Sequence, residues 1–74
     1  MKIFTIEQQE YTGYDVYLGH VIIAGEKTEV IKCAQMIAAD EGEECWLEAD
    51  IKEIGEYSGE SKEPLIVLSN FRAG

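Results

Sequence analysis

The side chains of this sequence best able to do chemistry are carboxylates, and they are unevenly placed. Residues 1–39 carry a net charge of −2 and residues 40–74 a net of −7, within a total of −9 over 74 residues. Ten acids fall between Asp40 and Glu63, among them Glu43, Glu44, Glu48, Asp50, Glu53, Glu56 and Glu60. Such a run can coordinate a hard cation, form a solvated face, or present anionic charge to a basic partner much as phosphates do. Calcium and magnesium need several oxygen ligands from one tight loop. The DEGEE run at residues 40–44 lacks the alternating Asp/Asn spacing of a calcium loop, so no metal site is expected. The solvated face and the basic partner remain as readings.

Nucleophilic and acid–base chemistry is weakly provided for. His20 falls on the apolar face of an expected strand, where a packed or hydrogen-bonded imidazole is the commoner outcome, and no local motif supplies a nucleophile or paired acid. Cys33 reads as a small core residue, and Cys45 sits among Glu43, Glu44 and Glu48, whose charge blunts a thiol as a nucleophile. Neither GYDVYLG nor GESKEP has the spacing of a phosphate-binding loop or a lysine at the place such a loop needs one. No catalytic residue, metal or cofactor is therefore assigned, and a binding protein is expected ahead of an enzyme.

Binding surfaces favour large amphipathic aromatics, which bury much area at low entropy cost. Tyr11, Tyr14, Tyr17, Trp46 and Tyr57 are numerous for so short a chain. The expected patch combines Glu43, Glu44, Glu48, Asp50, Glu53 and Glu56 with Trp46 and Tyr57 as anchors. A core role is the competing reading for each aromatic.

The hydropathy pattern supplies elements to position these groups. Residues 2–8 alternate Phe4 and Ile6 with Thr5 and Glu7, the period of a half-buried strand, and QEYTGYD at residues 9–15 suits a hairpin connection. A second strand over Val16 to Ala24 sets Val16, Leu18, His20 and Ile22 on one face against Tyr17, Val21 and Ile23 on the other, and so is expected to be central. Helical spacing over residues 26–41 puts Val30, Ile31, Ala34, Ile37 and Ala38 on one face, with Thr28 as N-cap and Gly42 in a left-handed C-terminal cap. Asp40 and Glu41 would then oppose the helix dipole, a mild pointer to function.

A third strand over Trp46 to Ile54 alternates Leu47, Ala49 and Ile51 against Glu48, Asp50 and Lys52, with a bulge expected near Lys52 and Glu53 that returns Ile54 inward. Residues 55–63 read as a polar turn. Leu65 to Phe71 is apolar enough for a last strand buried on both faces. The expectation is one α+β domain over residues 1–74, in ββαββ order, with a mostly antiparallel four-stranded sheet and one helix packed on one face.

Size and charge narrow the partners. A chain of this length builds one core, of roughly 3–5 kcal/mol, and gains from self-association, so a homodimer is a natural arrangement. The acidic balance repels nucleic acid and anionic membranes but attracts basic proteins, including those that hold nucleic acid. No secretion signal or membrane span is read in the chain, and the expected location is the cytoplasm of a bacterial host cell.

Met1-Lys2-Ile3-Phe4-Thr5-Ile6, Gly13-Tyr14-Asp15 followed by Val21-Ile22-Ile23-Ala24, and the closing Ile66-Val67-Leu68-Ser69-Asn70-Phe71-Arg72-Ala73-Gly74 resemble a family of very small proteins encoded by bacteriophages and prophages. That resemblance implies a phage origin, and small acidic phage proteins without enzymatic sites are often inhibitors, anti-CRISPR proteins and DNA mimics among them, so the expected function is stoichiometric binding of a host nucleic-acid-handling or defence protein. Two rival functions stay open. An oligomer that sequesters a signalling nucleotide would have to rely on Lys2, Lys27, Lys32, Lys52, Lys62 and Arg72, and a structural phage adaptor would use a strand edge.

Overall fold

The computed structural model describes residues 1–59 and 63–73. Four strands, β1 (Lys2–Glu7), β2 (Val16–Ala24), β3 (Asp50–Glu56) and β4 (Leu65–Arg72), form one antiparallel sheet in the order β3-β1-β2-β4. A single helix, α1 (Lys27–Met36), and a 3-10 turn at Glu44–Glu48 complete the described elements. The α+β class and the ββαββ order follow the hydropathy pattern, and β2 is internal to the sheet. Among the described residues no helix is long and apolar enough to cross a membrane.

Register explains the two faces. Phe4 opposes Ile22, and Ile6 opposes His20 on one side and Ile51 on the other, so these residues share the face that α1 covers. With Ala24, Val30, Ala34, Cys45 and Trp46 they close the core. The opposite face carries Ile3 against Ile23, Thr5 against Val21 and Lys52, and Glu7 against Gly19 and Asp50. Ile23 is buried there, outside the main core cluster.

Several expectations are corrected. Leu18 is an extra residue between Tyr17 and Gly19, and this bulge turns Tyr17 onto the core face, where its ring lies 4.9 Å from His20 and 4.7 Å from Phe71. Gly19 permits the close approach, because a Cβ there would sit 2.8 Å from the Ile6 carbonyl oxygen. The β3 bulge falls at Ile54, which is exposed rather than returned inward. Strand β4 is an edge and mostly exposed, so the apolarity of Leu65 to Phe71 does not signal burial on both faces.

The helix is shorter than its periodicity. Glu26, not Thr28, occupies the N-cap, and the Glu29 carboxylate reaches back to accept the Gly25 N–H at 3.0 Å. The helix stops at Met36, and Gly42, with φ of +77°, ends a separate loop six residues later. The loop wins over continued helix because it satisfies tertiary polar contacts: Asp40 N–H donates to the Asp15 carbonyl at 3.0 Å, and Glu41 turns into the core. Asp40 and Glu41 therefore do not stand at a helix C-terminus.

Candidate functional site

Glu41 is the least expected side chain of the interior. It is 3% exposed, and its carboxylate accepts hydrogen bonds from Tyr17 N–H at 3.0 Å, Ala39 N–H at 3.1 Å and Trp46 Nε1–H at 3.1 Å. A buried carboxylate is tolerable only with such donors. Trp46 is itself 0% exposed, so the tryptophan expected as an interface anchor belongs to the core, held there by the 3-10 turn and by Glu41.

His20 completes this interior group. Its ring lies 5.2 Å from that of Trp46, and Nδ1 is 2.8 Å from Ser69 Oγ, while Nε2 is buried with no hydrogen-bond partner. Burial pushes the imidazole below its usual range, against the opposing pull of the Glu41 carboxylate. A neutral, packed histidine follows, rather than an exposed general base. Burial likewise pushes both thiols up, with Glu29 adding to the effect at Cys33 and Glu41 and Glu10 at Cys45. Neither is an activated nucleophile.

Several of the acids outside the core gather on the β3 side of the sheet. Glu48, at the end of the 3-10 turn, and Asp50, at the start of β3, line a groove of about 410 Å³ together with Glu7, Glu10, Gln8, Gln9, Ala49 and Cys45. Four carboxylates thus line one depression that no lysine or arginine lines. Glu7 and Asp50 are direct partners across β1 and β3, and like charges so opposed destabilise a sheet. Lys52 lies 3.8 Å from Asp50, but both side chains are well exposed and the pair is worth little.

The remaining expected residues are distributed around this groove rather than within it. Glu43 and Glu44 are exposed at the head of the 3-10 turn, and Glu53 and Glu56 project from the α1 side of β3, Glu53 at 3.3 Å from Lys2 Nζ. Tyr57 is half-buried beyond the far end of β3, roughly 20 Å from Asp50 at a strand's rise per residue, beside Met1, Lys2 and Gly25. It does not join the acidic groove. Glu60, Lys62 and Gly74 lie outside the described residues. Among the described residues no group of His, Cys, Asp and Glu is arranged to hold a metal ion.

Glu7 and Glu10 escape a reading of local sequence because they lie about forty residues from Glu48 and Asp50. Only the β1–β3 register unites them. The loop before β2 exposes two aromatics, Tyr11 and Tyr14, with Arg72 stacked 5.3 Å from the Tyr14 ring and donating to the Thr12 carbonyl at 3.2 Å. Compared with known proteins, the chain matches no family model, no curated protein and no solved structure.

Proposed function

We propose that this chain is a phage-type inhibitor that binds a basic surface of a host nucleic-acid-handling or defence protein through its β3 side. The supporting observation is the groove in which Glu7, Glu10, Glu48 and Asp50 converge with no lining base. An arginine or lysine entering it meets several carboxylates at once, and the surrounding Glu43, Glu44, Glu53 and Glu56 extend the negative field that steers a basic partner into encounter. The partner's phosphate-binding residues are the natural occupants, which makes the contact competitive with nucleic acid. Catalysis has no role in this reading.

The experiment is capture from bacterial lysate by the tagged protein, with the Glu48→Lys/Asp50→Lys variant run in parallel. The expected result is one nucleic-acid-handling protein held by the wild type at low salt, released at high salt and absent from the variant. Equal capture by both proteins would remove the groove from the binding surface.

A further inference from the structure

We propose that β4 is a self-association edge, at which a second copy of this chain adds its own β4 antiparallel, joining two four-stranded sheets into one of eight strands. β4 is outermost in the sheet, and among the described residues no strand pairs with its outer side. Its sequence, LIVLSNFR, contains no acid, and its one base, Arg72, is turned to Thr12 and Tyr14. The opposite edge is built in the contrary way: β3 reads DIKEIGE, with four charged residues and a bulge at Ile54. Charge and bulges are the devices that keep sheet edges from pairing; β4 carries one bulge, at Val67, and no charge but that of Arg72.

The strand also leaves apolar side chains uncovered. Leu65 is 51% exposed, Val67 56%, Leu68 65% and Phe71 44%. With about 150–200 Å² of accessible area for a large apolar residue, this leaves roughly 400 Å² on the strand, about half of what one partner contributes to a standard interface. Met36 and Ile37, exposed at the end of α1, border a groove of about 650 Å³ beside Pro64, Leu65 and Ile66, which Glu29, Lys32 and Glu63 also line.

Self-complementarity selects the second copy as occupant, because an apolar edge without acids suits the same edge of another chain. A chain of net charge −9 repels its own copies, and β4 is the strand at which two copies meet without opposing acids. A two-fold contact requires the same strand on both sides, which antiparallel pairing of β4 with β4 provides. The acidic β3 edges then stand at the two far ends of the joined sheet, where their repulsion is least.

Sedimentation equilibrium of the full chain over a concentration series tests this, with the Val67→Lys/Leu68→Lys variant beside the wild type and amide exchange followed by mass spectrometry. The wild type is expected to approach twice its 8.3 kDa chain mass as concentration rises, while the variant stays at the single mass. Exchange within β4 of the wild type should slow over the same range, with β3 unchanged. A wild type that remains at the single mass overturns the proposal, as does a dimer whose β4 exchange is independent of concentration. Should the variant fail to fold, the exchange pattern of the wild type decides alone.

Discussion

At the scale of single residues, the interior is organised by one carboxylate. Three N–H donors converge on Glu41, and removing the acceptor leaves two half-buried amides and the fully buried Trp46 indole N–H without it. Glu41→Ala should therefore cost about 3–5 kcal/mol, comparable to the whole stability of so small a domain, so the variant should be largely unfolded in circular dichroism. Glu41→Gln keeps an acceptor oxygen and should lose less, about 1–2 kcal/mol by urea denaturation. Equal effects of the two substitutions would mean that charge, and not the donors left behind, dominates.

His20 gives the interior a pH dependence whose sign is fixed by its environment. Its folded-state pKa lies below the ordinary 6.5, so the unfolded chain takes up the proton first as pH falls. The neutral imidazole's contribution is fully present above pH 6.5 and is lost as pH drops from there through the folded-state value. Urea midpoints measured from pH 7.5 down to pH 5.5 should decline in the wild type and decline less in His20→Phe. Parallel declines would assign the acid sensitivity to other groups.

At the scale of elements, the β1–β3 register sets stability against the proposed binding. Glu7 faces Asp50 across the pair, so Asp50→Asn should raise stability by a few tenths of a kcal/mol while weakening partner binding. A variant that loses both stability and binding would show that Asp50 supports the fold instead. Gly42, at φ of +77°, makes the complementary point about the loop after α1: Gly42→Ala should destabilise by about 1 kcal/mol.

These elements also mark what the sequence made legible. Alternation in KIFTIE and the apolar run of β2 located both internal strands, and the spacing of Val30 and Ala34 located the buried side of α1. Helix periodicity could not foresee the stop at Met36, because the competing contacts of Asp40 and Glu41 come from Asp15, Tyr17 and Trp46, distant in sequence or in a separate turn. Trp46 was misplaced for a related reason: the alternation of Leu47, Ala49 and Ile51 extends a strand pattern backward over a 3-10 turn. Composition suggested that β4 is buried on both faces, since apolarity alone does not distinguish a buried strand from an unprotected edge. Of the expected acids, Glu48 and Asp50 converge, and their companions Glu7 and Glu10 were hidden by chain separation.

For the molecule as a whole, the sheet is polarised across its width, from the acidic groove beside β3 to strand β4, which contains no acid. The two edges suit different contacts, one electrostatic and dependent on salt, the other apolar and nearly indifferent to it. Raising salt should therefore dissociate the basic partner while leaving self-association intact or slightly tighter, a difference readable in one series of sedimentation runs. Joint loss of both contacts with salt would contradict the separation.

If Glu7, Glu10, Glu48 and Asp50 receive the basic groups of a partner, the salt dependence of affinity for the captured protein reports it. Titrations at increasing ionic strength should show a steep loss of affinity for the wild type, and both weaker binding and a flatter slope for Glu48→Lys/Asp50→Lys. Unchanged affinity and slope in that double variant would contradict the account.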